Sequence, residues 1–512
     1  MTASVPGPFV PAHQMLQALE QRDLSAVELL ELHLARIERL NPALNAVVTL
    51  DVEQARRTAR QADEARAQGV TLPLLGLPFT VKDVLETAGL RTTAGFLPLS
   101  DHLPAIDAPA VARLKAAGGV LIGKTNTPTL AMGAEPDNPI FGRTNNPWDA
   151  RHSPGGSSGG EAAAVAAGLS PLGLGSDAGG SVRIPAHFCG IFALKPTEHR
   201  IPTTGHIPEL PGMPRGLRHL ATLGPLARSV DDLALALSVL AGPDGRQWEV
   251  PPVPIEPLPD VDRRQIRLTW SEDLGLPTDE ATTTAIADVA ARLSKQMMVR
   301  HEGPLTWSVT EANEVGMALF NAEVPRSAQP QSGEREVTMR EYISLLDRRD
   351  RLIAQLETFF ADVDVLMCPV VGTPAWTHRT PGTPVVMDGE EYPYWSTALA
   401  HCMPFNLTGH PVVVVPVTLT AQGLPIGVQL VGRRWGKRGC WPWPATWLKS
   451  QGLWVHRLRF LDGFWLTWNT TRTFLTGAFI PQAQHPELDP GTHAVTRGAR
   501  WRGGARAGER VR

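Results

Sequence analysis

Three short stretches of this chain hold residue types that could carry out nucleophilic chemistry together. Lys82 ends the run Pro78-Phe79-Thr80-Val81-Lys82 and has apolar neighbours. Ser157 sits inside Gly155-Gly156-Ser157-Ser158-Gly159-Gly160, and Ser181 closes Gly175-Ser176-Asp177-Ala178-Gly179-Gly180-Ser181. Glycines let backbone N–H groups approach a ligand closely, and consecutive N–H groups form an anion nest. A serine at the end of such a nest can attack a carbonyl while the nest holds the oxyanion. A serine hydroxyl is a weak nucleophile and needs a base. Burial penalises a charged ammonium, so a buried Lys82 can be neutral enough to accept a proton. Ser157 is the residue that could relay it between Lys82 and Ser181.

Two competing motifs fail on context. Gly118-x-x-x-x-Gly123-Lys124-Thr125 fits a phosphate-binding loop as a pattern. Its middle, Val120-Leu121-Ile122, reads as a strand, and Pro128 opposes a helix directly after it. Gly155-x-Ser157-x-Gly159 fits a hydrolase nucleophile elbow, which needs a strand immediately before the serine. Here the serine follows Ser153-Pro154-Gly155-Gly156, a loop.

The elements that must position these residues alternate. Helices are predicted over 25–40, opened by a Ser25/Glu28 capping box, and over 51–68, 108–117, 161–168, 229–240, 279–293 and 339–360. Strands are predicted over 77–81, 120–122, 171–174, 191–194, 266–270, 365–368, 412–417 and 426–431. Such alternation implies an α/β layer architecture.

The chain has 512 residues, 43% of them hydrophobic and 19% charged, with net charge −3. That excludes a wholly disordered chain and gives no global field toward nucleic acid or membrane. The four cysteines form no C-x-x-C pair, so neither a zinc site nor a disulfide framework is expected. The N-terminus lacks the basic and apolar regions of a signal peptide, and no run is long enough for a membrane span. A cytoplasmic location is the simplest expectation.

Taken together, these residues resemble the amidase signature family. Ser157 follows Lys82 by 75 residues and Ser181 follows Ser157 by 24. The family's pattern continues from Ser181 through Arg183, Pro185-Ala186, Cys189-Gly190 and Leu194-Lys195-Pro196-Thr197. Further likeness lies in Lys124-Thr125-Asn126, 141–148, 224–229 and 404–411, and covers most of residues 10–435. The resemblance implies a single large α/β domain, 1–435, with a mixed multi-stranded sheet flanked by helices. It implies a Ser–cis-Ser–Lys triad with Ser181 as nucleophile, Lys82 as base, and Ser157 bridging them after a cis bond from Gly156. It places the oxyanion hole at the N–H groups of Ala178, Gly179, Gly180 and Ser181, and Ala131 beside the acyl site. Asp177 and Arg183 are expected to hold the loops. The implied activity is hydrolysis of a small-molecule carboxylic amide through an acyl-enzyme, with no metal or other cofactor and no nucleic-acid partner; a homodimer is compatible with it. One branch of the family is the glutaminase subunit of tRNA-dependent amidotransferases, from whose usual continuation Ile201–His206 departs.

The likeness stops near Trp435. Residues 436–512 hold seven of the 14 tryptophans and 12 Lys/Arg against 4 Asp/Glu. Where the family supplies an amphipathic helix, Cys440-Trp441-Pro442-Trp443-Pro444 forbids one. Codons for those five residues, read one nucleotide earlier after a C, give Leu-Leu-Ala-(Leu/Met/Val)-Ala, the missing helical pattern. The expectation is a tail read in a shifted frame, with a genuine Trp/Arg-rich extension as the alternative; because of the altered C-terminus, a damaged or non-catalytic paralogue stands as an alternative to amide hydrolysis.

Overall fold

In the computed structural model the described residues are 7–207, 217–254, 265–295, 305, 307–324 and 337–435, with the backbone alone at 298–299. They fall in the first of the chain's two units, Met1–Arg457. The expected 436–512 tail lies outside the described residues.

Eleven strands of the described residues build one sheet. In chain order they are β1 (Val47–Leu50), β2 (Pro78–Lys82), β3 (Val120–Thr125), β4 (Leu172–Asp177), β5 (Phe192–Lys195), β6 (Thr222–Ala227), β7 (Arg267–Trp270), β8 (Met298–Val299) and β9 (Val365–Pro369). A separate hairpin, β10 (Val385–Met387) with β11 (Glu390–Tyr392), precedes β12 (Val412–Leu419) and β13 (Pro425–Gly432). The spatial order is β1-β3-β2-β4-β6-β5-β12-β13-β9-β7-β8. Parallel pairs β2/β3, β2/β4, β7/β8 and β7/β9 mix with antiparallel ones, so the sheet is mixed as expected.

The central strands β2 and β4 are buried at every residue, the pattern of strands covered on both faces. Helices start where the sequence supplies caps. Ser25 and Glu28 form the reciprocal capping box expected, and Asp51, Ser229, Asp279 and Thr338 each accept a backbone N–H at a helix start. The Gly118–Thr125 motif resolves into a turn followed by β3, and its Lys124 is buried in the fold. No helix among the described residues is long and apolar enough to cross a membrane.

One packing contact decides where the site forms. The helix Gly159–Ala166 lies over β4 where that strand carries Gly173 and Gly175, two residues apart and so on one face. A Cβ at Gly173 would come 2.3 Å from Glu161 Oε1, and one at Gly175 would come 2.6 Å from Ser158 Oγ. Real Cβ atoms never approach that closely, so only glycine lets this helix start against the strand. At the same end Gly160 meets the backbone of Asn126, just past β3. Ser157 and Ser158 are thereby set at the carboxyl ends of β2, β3 and β4, where open α/β sheets place their ligands.

Candidate active site

Lys82 is the last residue of β2 and is fully buried. Its Nζ lies 2.6 Å from Ser157 Oγ and 3.1 Å from Ser176 Oγ. Burial pulls its pKa down to about 7, against the opposing charges of Asp177 and Glu161. A large fraction of this amine is therefore neutral at physiological pH. The peptide bond between Gly156 and Ser157 is cis, as the resemblance implies.

Ser181 opens the turn before the helix Arg183–Cys189 and is partly exposed. Its carbonyl accepts the Ser158 N–H at 3.0 Å, which ties the two serine loops together. Asp177 shapes the second loop from inside. Its Oδ1 accepts the Gly180 N–H at 2.8 Å and its Oδ2 accepts the Val182 N–H at 3.1 Å. Arg183 closes a bidentate pair on the same carboxylate, Nε to Oδ2 and Nη2 to Oδ1, both 3.0 Å. Both residues are fully buried. Burial alone would raise the Asp177 pKa, but Arg183 and the Asn406 amide hold it far below the usual carboxylate range. The expectation that Asp177 and Arg183 hold the loops agrees with this geometry.

The four N–H groups expected to form an oxyanion hole do not share one state. The Gly180 N–H is taken by Asp177, because the carboxylate that folds the turn needs that donor. Among the described residues, none supplies an acceptor for the N–H groups of Ala178, Gly179 and Ser181. Ala131 ends a short turn, Thr129–Ala131, where Leu130 and Ala131 both have positive φ, 51° and 61°. Two residues on, Gly133 and Ala134 press on Gly156: a Cβ there would come 2.7 Å from Gly133 O.

Three further residues escaped the sequence reading. Ser176 is the second hydroxyl on Lys82; its place within the Gly-Ser-Asp motif was the available signal. Glu161 is fully buried, with Thr80 donating to Oε1 and Thr125 donating to Oε2 at 2.7 Å. Burial raises its pKa to about 7 against those two hydroxyls. It was readable as the lone acid in an Ala-rich helix. His206 is held by backbone pairing with Leu85, three residues after Lys82. Burial, then the charge of Lys82, lowers its pKa to about 3, so it is neutral. Among the described residues no group of three or more His, Cys, Asp or Glu is arranged to hold a metal ion.

The sequence model of the family described as Amidase matches residues 28–302 and 310–440. One of the subunits of the glutamyl-tRNA(Gln) amidotransferase of Thermus thermophilus is 34% identical over 467 residues, covering 83% of this chain and 94% of that protein. An acylamidase of Rhodococcus erythropolis is 33% identical over 450 residues, covering 83% and 92%. The solved structure of a 6-aminohexanoate cyclic dimer hydrolase superposes with a TM-score of 0.72 at 27% identity, covering 88% of this chain and 98% of its own. The chain belongs to the amidase signature family, hydrolases of amide C–N bonds.

Proposed function

We propose that this enzyme hydrolyses a carboxylic amide through an acyl-enzyme on Ser181, with Lys82 and Ser157 as the proton relay. The observation that supports this most directly is a buried amine in contact with two hydroxyls, one of them Ser157 at 2.6 Å. In the first half-reaction Ser181 Oγ attacks the carbonyl carbon, its proton passing to Ser157 as Ser157 gives its own to Lys82. The N–H groups of Ala178, Gly179 and Ser181 receive the oxyanion. The C–N bond then breaks as Ser157 protonates the leaving nitrogen and recovers a proton from Lys82. Water repeats the sequence against the ester and frees the acid. Asp177, by engaging Gly180, fixes the turn that aims the other three donors.

In this reading residues 1–435 are the catalytic domain. The enzyme works in the cytoplasm on a small-molecule amide with no nucleic-acid partner. Homodimerisation fits the mechanism and is not needed by it. The likeness to the amidotransferase protein of Thermus thermophilus supports a second reading, a glutaminase subunit. Autonomous turnover of simple amides favours the free amidase; glutamine hydrolysis that requires partner subunits favours the other. The primary test is labelling with a fluorophosphonate, which reacts with an activated serine. The native enzyme should take up one label per chain and Ser181→Ala none; equal labelling of both overturns the assignment of Ser181.

A further inference from the structure

The helix Tyr394–Leu399 passes beside Gly133–Ala134 and beside Gly179 in the loop of Ser181. Tyr394 anchors it: its hydroxyl accepts the Ala134 N–H at 2.9 Å. Next to that anchor, a Cβ placed on Gly133 would stand 3.9 Å from Trp395 Cη2 and 3.8 Å from Pro381 Cγ. Gly133 is the residue whose carbonyl abuts Gly156, the neighbour of Ser157. One turn further along the helix, a Cβ on Gly179 would stand 3.3 Å from Leu399 Cδ2 and from Met403 Cε. Gly179 lies two residues before Ser181. Trp395 and Leu399 are four apart, so they share a helix face. That face spans from Gly133, which backs the loop of Ser157, to Gly179 in the loop of Ser181.

The wall is apolar and part of it is open. Trp395 is 39% exposed and Met132, beside Gly133, is 37% exposed. Scattered exposed apolar side chains are ordinary. Here Trp395 stands beside Gly133, to which Met132 is bonded, and Leu399 and Met403 lie over Gly179 in the loop of Ser181. Trp395, Pro381, Leu399, Met403 and Met132 carry no charge, so a charged group pressed against them would lose its hydration without a partner.

We propose that Trp395 and Leu399 are specificity-determining residues that receive the acyl group, and that the substrates are amides of uncharged alkyl or aryl carboxylic acids. This rests on the reading of Ser181 as the acyl carrier. The acyl group stays on the enzyme through both half-reactions, so it is the part that a fixed apolar wall holds longest. An amide whose acyl part bears charge, such as glutamine, is disfavoured by the same wall.

The experiment is a series of primary amides from acetamide to hexanamide, with benzamide and glutamine, followed by ammonia release. kcat/KM should rise about fourfold per methylene, the ratio expected for burying one CH2. Trp395→Ala and Leu399→Ala should each lower the hexanamide-to-acetamide ratio about tenfold. Trp395→Phe should restore most of it, and Trp248→Ala, at an 84% exposed tryptophan elsewhere, should leave it unchanged. Thermal unfolding of each variant separates this effect from misfolding, and the ratio between two substrates is insensitive to the active fraction. A flat series, unchanged ratios in both alanine variants, or glutamine turned over as well as hexanamide overturns the inference. So does a preference that appears only with N-alkyl acetamides, where the chain is on the amine, followed by acetate release because their leaving group is an alkylamine. If Ser181 is labelled by a fluorophosphonate while these outcomes hold, the specificity alone is refuted. If no amide is turned over and no label is taken, the reading beneath it falls too.

Discussion

Replacing Lys82 by methionine should change the pH dependence of stability in a direction and amount that follow from its burial. The ordinary amine pKa is 10.5, and in the folded protein it falls to about 7. Between those values the unfolded chain binds a proton that the folded protein does not, so this group's contribution to stability rises with pH. At about pH 7 the group costs the fold about 4 kcal/mol, at about 1.4 kcal/mol per pKa unit with the native amine half protonated. At about pH 9.5 the cost is down to about 1.4 kcal/mol. Methionine fills a similar volume and carries no proton. It also forfeits the contacts to Ser157 and Ser176, about 1 kcal/mol each and independent of pH over this range. Relative to the native enzyme, Lys82→Met should therefore lose about 3 kcal/mol of advantage between about pH 7 and about pH 9.5. Urea unfolding of both proteins at both pH values measures this directly. Titrations of groups not coupled to Lys82 cancel in the difference; Glu161, which is coupled to it, is controlled by making the same pair of measurements in a Glu161→Gln background. A difference constant to within about 1 kcal/mol would mean that Lys82 stays charged in the fold, and the base assignment would lose its physical ground.

The same amine should set an acid limb near pH 7 in kcat/KM, falling about tenfold per pH unit below it. Glu161→Gln removes a carboxylate whose charge raises the Lys82 pKa, so that limb should move to lower pH, by up to about one unit; a limb that stays in place refutes the coupling. Arg183→Met leaves the buried Asp177 carboxylate without its bidentate partner, and chemical denaturation should show a loss of about 3–5 kcal/mol. Gly160→Ala would put a Cβ 2.4 Å from Asn126 N, a backbone atom that cannot rotate away, with an expected loss of at least about 1–3 kcal/mol in the same assay. The frame-shift proposal for residues 436–512 is decided by the coding sequence: the Gly439 codon must end in C, and any other base refutes it.

How much of this was legible depended on whether the cause was local. The helix starts were, because a cap and its partner lie within four residues, as at Ser25 and Glu28. The strand β6 was not recognised as one. Its Gly224 and Pro225 argue locally against a central strand. Both nevertheless stay in register with β4, opposite Gly175 and Leu174, while the β5 ladder reaches only Leu226 and Ala227. Gly224 is needed because a Cβ there would meet Leu194 O at 2.1 Å. The helix Tyr394–Leu399 was missed too, being short and set between Pro393 and a second brief helix, Met403–Leu407. Lys82, Ser157 and the loop of Ser181 were legible because closely approaching backbones demand runs of glycine. Glu161 and Ser176 act through partners 81 and 94 residues away, and no local pattern encodes that separation.

Two lysines lie at the ends of neighbouring parallel strands, Lys82 last on β2 and Lys124 last but one on β3, and both are fully buried. Burial lowers both, Lys124 to about 8, so burial alone does not decide which is the base. The hydrogen-bond partners support Lys82. Lys124 Nζ faces Leu85 O, Thr87 Oγ1 at 3.1 Å and Thr92 Oγ1 at 2.9 Å. Both of those threonine hydroxyls already donate to backbone carbonyls, Thr87 to Leu85 O and Thr92 to Leu90 O. All three partners can therefore only accept, and three acceptors require the three N–H donors of an ammonium. Asp83, 4.0 Å away, supplies the countercharge. Lys82 faces two serine hydroxyls instead. A neutral amine has two N–H groups and one lone pair, so it can accept from Ser157 while donating to Ser176. These partners suit an ammonium at Lys124 and an amine that can exchange a proton at Lys82. Thr87→Val with Thr92→Val would remove two of the acceptors that hold Lys124 charged, and should cost stability without moving the acid limb of kcat/KM. A limb that moved with those substitutions would show that the two amines titrate as one unit, and the division of labour between them would fail.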